Sequence, residues 1–277
     1  MALGLPAGEI AMLGGTLIAG GLLTGFLSGL LGVGGGGIIV PILFELFGVL
    51  GVPEDIRLHL AVGTSFGVML PTSVRAANLH YQRGSMDGGL LSLLGPAAIV
   101  GVIIGSLMAK YSDDGVMKIV WVFSATLLAL SLILRRENWH LKGDIGRPAV
   151  AVPFGTFVGF LSTIMGVGGG AQVTALMTLF GRTIHQSVGT AAGFGAFVSL
   201  PALFGYIWAG WGASGLPPGS LGFVSLIGAA AMMPASLFAA PFGVRAAHGL
   251  PRRRLEIAFA IFLGLVGLRF LMSLMLS

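Results

Sequence analysis

Gly25-Phe-Leu-Ser-Gly-Leu-Leu-Gly-Val-Gly-Gly-Gly-Gly37 and Gly159-Phe-Leu-Ser-Thr-Ile-Met-Gly-Val-Gly-Gly-Gly170 are the two stretches that decide the fold of this chain. Each run lies inside a long apolar segment, where consecutive glycines cannot sustain a helix because each costs about 1 kcal/mol relative to alanine. A broken helix in hydrocarbon persists only where protein or a water-filled cavity surrounds the break. Paired breaks in corresponding halves are typical of transporter binding sites.

The composition indicates an integral membrane protein. Of the 277 residues, 55% are hydrophobic and only 9% are charged, whereas a soluble domain carries roughly 25% charged residues. Glycines recur at four-residue spacing, as at Gly21, Gly25 and Gly29, which favours close packing of membrane helices. The net charge of +5 predicts basic cytoplasmic loops rather than nucleic-acid binding. The absence of cysteine excludes disulfides and thiolate metal sites, and we expect no cofactor.

The sequence repeats itself. The glycine runs match at a spacing of 134 residues, Val62-Gly-Thr64 is echoed by Val188-Gly-Thr190, and Ser92-Leu-Leu-Gly95 by Ser225-Leu-Ile-Gly228. We therefore predict an all-α polytopic membrane protein with two homologous halves, residues 1–135 and 149–277, joined by a cytoplasmic linker at 136–148. Each half begins with a glycine-interrupted helix followed by three transmembrane helices, predicted at about 58–81, 88–109 and 116–134 and at about 187–208, 221–244 and 255–276.

Basic residues favour one of two possible arrangements of the halves. If the chain turns back at each glycine break, as a hairpin or a re-entrant loop, the halves are inverted. One side then collects ten basic loop residues: Arg83, Arg135, Arg136, Lys142, Arg147, Arg182, Arg245, Arg252, Arg253 and Arg254. The other side keeps Arg57, Lys110 and Lys118. Uninterrupted crossings would divide the same residues eight to five. Cytoplasmic loops are enriched in Lys and Arg, so we favour inverted halves with both termini outside the cytoplasm.

The short helices that follow the breaks predict an anion site. Helix N-termini present unpaired N–H groups and a positive dipole end, and such ends bind anions. The candidate substrate-binding residues are Gly34, Gly35, Gly36, Thr64, Ser65, Arg75, Gly168, Gly169, Gly170, Gln172 and Thr190. Structural alternatives stay open: the glycines serve close packing, the hydroxyls bond to their own helix, and Arg75 extends to the interface.

A family resemblance supports this interpretation. The doubled Gly-x-Leu-Ser-x-x-x-Gly-Val-Gly-Gly-Gly run, the Val62-Gly-Thr-Ser65 sequence and His80 followed by Gly84-Ser-Met-Asp87 resemble the TauE/SafE sulfite-exporter family, over essentially the whole chain. The resemblance implies transport of sulfite, sulfonates or related organosulfur anions across the bacterial inner membrane. The second run departs from the first at Thr163 and Ala171, which suggests that the two half-sites differ.

The sequence therefore predicts a secondary transporter, not an enzyme, that exports sulfite or an organosulfonate by alternating access between the two broken helices. Its expected partners are the small anion, the lipid bilayer and, if transport is coupled, a proton or another ion. An anion channel and, less favoured, an intramembrane enzyme are the alternatives. The oligomeric state stays open, with a homodimer as one possibility.

The charge distribution makes a testable prediction about the linker. Because the chain has no cysteine, a single Asn138→Cys substitution gives a clean probe. We expect no labelling of intact cells by a membrane-impermeant thiol reagent, and labelling once the cells are opened. Labelling from outside intact cells would contradict the inverted arrangement.

Overall fold

The computed structural model describes residues 7–31, 36–134, 143–246 and 252–276. This part of the chain forms ten helices and one two-stranded hairpin. The helices of the first half are α1 (Ala7–Leu31), α2 (Gly36–Val49), α3 (Glu54–Gln82), α4 (Gly88–Tyr111) and α5 (Asp114–Leu134). Those of the second half are α6 (Pro148–Met165), α7 (Gly170–Leu179), α8 (Ile184–Ala209), α9 (Leu226–Ala246) and α10 (Arg252–Leu276). The same order of long, short and three further long helices occurs twice.

Six of these helices are long and apolar enough to cross a membrane, namely α4, α5, α6, α8, α9 and α10. The two helices that follow the glycine breaks are shorter, with 14 residues in α2 and 10 in α7. At about 1.5 Å per residue, α7 is only about 15 Å long, roughly half the thickness of the hydrocarbon core. Helix α3 has 29 residues but is more polar than the six. The chain is thus an all-helical, polytopic membrane protein.

Helices of one half pack mainly against helices of the other. Helix α1 lies against α9, and the corresponding helix α6 lies against α4. The first glycine of each run makes the contact possible. A Cβ atom on Gly25 would collide with the Ser236 carbonyl, and one on Gly159 would collide with the Ala98 carbonyl. Small residues in membrane helices allow this close approach.

Two helix pairs that join the halves, α3 with α8 and α5 with α10, pack antiparallel. In the α3–α8 pair, the ring of Phe66 lies 5.9 Å from that of Tyr206, whereas Ser73, farther along α3, lies against Gly195, earlier in α8. In the α5–α10 pair, Lys118 contacts Ser273 near the start of α5. Near the end of α5, the Leu132 carbonyl accepts a hydrogen bond from Arg253, which lies near the start of α10.

The short hairpin was not anticipated from the sequence. Strand β1 (Ser220–Leu221) pairs antiparallel with β2 (Val224–Ser225), and α9 begins only at Leu226. The predicted helix at 221–244 therefore starts too early. The turn uses Gly222 with a φ of +55°, which favours glycine. Between the strands, Phe223 packs 5.0 Å from the ring of His59, so the hairpin joins the connection before α9 to the N-terminal part of α3.

Candidate functional site

The second glycine run breaks the helix at two left-handed residues. Helix α6 ends at Met165 and is followed by Gly166, whose φ is +69°, and α7 starts after Gly169, whose φ is also +69°. A residue with a side chain rarely adopts this backbone conformation, whereas glycine does so readily. A Cβ on Gly169 would moreover press on Phe194 and lie 2.7 Å from the Ser162 hydroxyl. Glycine is required here both by the backbone angle and by the space.

Three other helices pair the carbonyl groups that the break exposes. The Tyr206 hydroxyl of α8 donates to the Thr163 carbonyl at 3.1 Å, and the Trp121 indole of α5 donates to the Met165 carbonyl at 3.2 Å. The Ser65 hydroxyl of α3 lies 3.0 Å from the Gly166 carbonyl. The end of a helix leaves its last carbonyls without intrahelical partners, and in a membrane these must be satisfied by protein.

The two breaks meet. Gly36, the first residue of α2, is buried against the Gly166 carbonyl so closely that a Cβ atom would collide with it. The same Cβ position lies 2.7 Å from the Met69 sulfur of α3. Gly34 and Gly35 lie outside the described residues. For the residues that are described, the backbones of the two halves touch where each long helix is interrupted.

The N-terminus of α7 lies at this junction. The first N–H groups of a helix have no intrahelical acceptor, and Gly170 and Gln172 lie in the first turn of α7. Gly168, just before it, is buried, and its carbonyl lies 3.6 Å from the Cβ position of Gly195. The break therefore presents N–H donors and a positive dipole end within the protein.

Several buried polar atoms surround the same helix end without using their hydrogen-bonding capacity. The hydroxyls of Ser162 and Thr174 are fully buried, and neither has a hydrogen-bond partner among the described residues. The side-chain oxygen of Gln172 is also buried and has no hydrogen-bond partner among the described residues. Buried polar groups are normally paired, so unpaired ones call for an explanation. Hydroxyl and N–H donors gathered at one helix N-terminus suit a small anion.

Two of the candidate hydroxyls form hydrogen bonds that link the halves. Thr64 accepts a hydrogen bond from the backbone N–H of Ser225 at 2.8 Å, and Thr190 accepts one from the N–H of Asp87 at 2.9 Å. Thr190 also donates to the Gln186 carbonyl at 2.8 Å. Ser225 and Asp87 stand at the N-termini of α9 and α4, where their own side chains accept from Gly228 and Leu90. Each threonine thus anchors a helix start in the other half.

These caps revise the alignment of the halves. Asp87 and Ser225 occupy equivalent places at a spacing of 138 residues, and the contacts of Ala98 with Gly159 and of Ser236 with Gly25 follow the same spacing. The echo of Ser92-Leu-Leu-Gly95 in Ser225-Leu-Ile-Gly228 has a spacing of 133. That echo does not mark equivalent positions, because short runs of leucine and glycine recur by chance in apolar helices.

Arg75 lies apart from the break. It is exposed on α3, while its neighbours Thr72 and Ser73 are buried. Met69, which contacts Gly36, is six residues earlier, a distance of about 9 Å along the helix axis. No ion pair joins Arg75 to a carboxylate of the described residues.

Several residues at the site or at its rim were not predicted from the sequence. Trp121 and Tyr206 pair the broken backbone, and Ser162, although inside the quoted glycine run, was not singled out. On the side of the α3–α4 turn, Asp87 lies 3.5 Å from the amide nitrogen of Gln186 and 3.8 Å from the guanidinium of Arg182. Within the described ranges, no cluster of three His, Asp or Glu residues is arranged to hold a metal ion.

Comparisons with known proteins give consistent results. The family model described as sulfite exporter TauE/SafE matches residues 17–270. A probable membrane transporter protein of Haemophilus influenzae is 30% identical over 248 residues, which cover 90% of this chain and 94% of that protein. Another, of Methanocaldococcus jannaschii, is 26% identical over 269 residues, covering 94% and 96%. No solved structure matches this chain significantly.

Proposed function

The chain belongs to the sulfite exporter TauE/SafE family, and from this premise we propose that it is a secondary transporter that exports sulfite or an organosulfonate. Its six long apolar helices and its relatives, which are named membrane transporter proteins, make it a membrane transporter. The anion, the direction and the mechanism are our proposal, as is its location in the bacterial inner membrane with the linker on the cytoplasmic side.

The junction of the two glycine breaks is the observation that carries the proposal. We assign the anion to the N-terminus of α7, where the backbone N–H groups of Gly169, Gly170 and Gln172 combine with the free hydroxyl of Ser162. Sulfite and sulfonates each present three oxygen acceptors, and several convergent donors match that number. By analogy, Gly34, Gly35 and Gly36 form the second half of the site, and Gly168 lines its edge.

The remaining candidates receive different roles in the proposal. The hydroxyls of Thr64, Ser65 and Thr190 already have backbone partners, so we assign them to holding the two breaks and helix starts in place. Arg75 is exposed on α3, and we propose that its guanidinium meets the anion as it enters or leaves the junction. A planar guanidinium bonds two oxygens of such an anion at once.

Alternating access between inverted halves is the mechanism that fits these contacts best. The antiparallel course of the α3–α8 and α5–α10 pairs and the reciprocal packing of α1 on α9 and of α6 on α4 support an inverted repeat. In such proteins, discontinuous helices bind substrate between the repeats, and one repeat rocks against the other. The contact between Gly36 and Gly166 lies where this movement would open and close the site.

Transport by the purified protein in sealed liposomes tests the function. We expect saturable uptake of radiolabelled sulfite that is accelerated by unlabelled sulfite inside the vesicles, as is typical of a carrier. Uptake without this counterflow would indicate a channel, and conversion of sulfite without accumulation would indicate an enzyme. Binding of sulfite, thiosulfate, sulfate, sulfoacetate and taurine, measured in parallel, identifies the preferred anion. Failure of all five to bind or move would contradict the proposal.

Ser162→Ala tests the assigned site with the loss of one atom. The hydroxyl has no partner among the described residues, so its removal should leave thermal stability unchanged or slightly raised. If it bonds to the anion, the affinity for sulfite falls about fivefold, as expected for about 1 kcal/mol. Ser199→Ala is the matched control, because that buried hydroxyl donates to the Gly195 carbonyl of its own helix. Equal affinities in the wild type and Ser162→Ala would remove the serine from the site.

Arg75→Lys separates an anion contact from an interfacial anchor. Lysine keeps the charge and also reaches the interface, but it lacks the planar fork. We expect weaker sulfite binding in Arg75→Lys and a larger loss in Arg75→Gln, of about 2 kcal/mol or roughly thirtyfold. Arg83→Lys in the turn after α3 is the control. Wild-type affinity in both Arg75 variants would exclude this residue from the anion path.

A further inference from the structure

A buried charge cluster lies at the N-terminal end of α5, away from the anion junction. Lys118 is 2% exposed, and its ammonium group donates to Glu54 at 2.6 Å, to Asp114 at 2.7 Å and to the Ser273 hydroxyl at 3.0 Å. Ser273 in turn donates to Glu54 at 2.9 Å. Lys118 was predicted to be a loop residue, but it is buried in α5. All three N–H donors of this lysine are therefore used.

The cluster carries one negative charge too many. Two carboxylates face a single ammonium group, which leaves a net charge of −1 when both are ionised. Asp114 is 7% exposed, and its second oxygen, Oδ1, is buried with no hydrogen-bond partner among the described residues. An uncompensated buried charge is costly, and a carboxyl in this position reduces the cost by taking up a proton.

Arg57, three residues after Glu54 on α3, is a second cation near the cluster. Its guanidinium lies 5.5 Å from the centre of the Phe44 ring that Lys118 also faces, and its charge acts on Glu54, but no ion pair joins it to Asp114 among the described residues. Helix α10 contributes the neutral Ser273, and its Arg269 lies 3.3 Å from Glu45 of α2, which neutralises it. Helix α2 otherwise presents the ring of Phe44, 5.6 Å from the Lys118 nitrogen. The other titratable side chains at this end of α3 and α5 are Asp55, Arg57, His59 and Asp113, of which Arg57 donates to the Val52 carbonyl.

The cluster has both a route to water and a link to the anion junction. The Glu54 side chain is 46% exposed, so protons from the surrounding water reach the cluster through it. Lys118 and Trp121 are three residues apart on α5 and so lie on the same face. Trp121 holds the Met165 carbonyl at the second break. The cluster also joins α3 and α5 of the first half to α10 of the second.

We propose that Asp114 is a proton-binding site that couples proton movement to anion transport, an inference that rests on the proposed function. A proton from the water beside Glu54 binds Asp114 Oδ1 and turns the carboxylate into a neutral carboxylic acid, which leaves Lys118 paired with Glu54 alone. When the proton is released, the second ionic bond to Lys118 forms again. Because this site joins the two halves, its occupancy and their relative position depend on each other.

Asp114→Asn tests the proposal, because asparagine keeps the shape but cannot bind or release a proton. In liposomes, we expect sulfite accumulation driven by a pH gradient to fall about tenfold, while sulfite–sulfite exchange at equal pH continues. Sulfite itself takes up a proton near neutral pH, so wild type and variants are compared at identical pH values. Asp113→Asn is the matched control, since that exposed residue only caps α5 through Val116, and asparagine caps equally well.

The outcomes separate this proposal from the general one. Absence of sulfite transport by the wild type would contradict the transporter function itself. Sulfite exchange with no response to a pH gradient, or an unchanged response in Asp114→Asn, would overturn only the proton site. Infrared difference spectra give a second readout, since one of the carboxylic-acid carbonyl bands that appear as the pH is lowered should be present in the wild type and missing from Asp114→Asn. If that variant does not fold, Asp114→Glu should shift this one band, and spectra identical to those of the wild type would overturn the proposal.

Discussion

The whole structure depends on keeping an interrupted backbone hydrogen-bonded inside a membrane. Hydrocarbon offers no partner for an open carbonyl, so the end of α6 is fastened by Ser65, Trp121 and Tyr206, one residue from each of three other helices. The side chains of these three residues form hydrogen bonds to the end of α6. The break in turn places the N-terminus of α7 among them, where its unpaired N–H groups are available to a ligand. One constraint therefore produces both the packing and the candidate site.

The packing of helices of one half against helices of the other also follows from the need to pair the interrupted backbone. The small residues Gly25 and Gly159 admit a carbonyl of the other half, and the hydroxyls of Thr64 and Thr190 each hold a helix start across the interface. The second half does not pair its broken helix alone, because Ser65 and Trp121, two of the three residues that donate to its end, belong to the first half. The threonines hold equivalent structural roles in the two halves, and their part in substrate binding stays a prediction.

The sequence predicted the features that depend on local chemistry. Consecutive glycines break a helix in any surroundings, so the two interruptions and the short helices after them could be placed. Burial and pairing depend on the assembled helices, which explains why Lys118 was assigned to a loop and why the roles of Trp121 and Tyr206 were missed. The two-residue strands around Gly222 are too short for an alternating pattern to show. The order of helices could be predicted, but the partners of their polar atoms could not.

The two ends of the repeat differ in charge, and this difference bears on mechanism. At the spacing of 138 residues that relates α4 to α9, Lys118 corresponds to Glu256, which is also buried but of opposite sign. Asp87, which caps α4, corresponds to the uncharged Ser225, which caps α9. The order of the helices is thus the same in both halves, while these residues differ in charge. If the halves exchange roles as the protein opens to either side, the two states have different electrostatic energies. A proton at Asp114 then changes the balance between them, since it removes one of the two carboxylate charges that face Lys118.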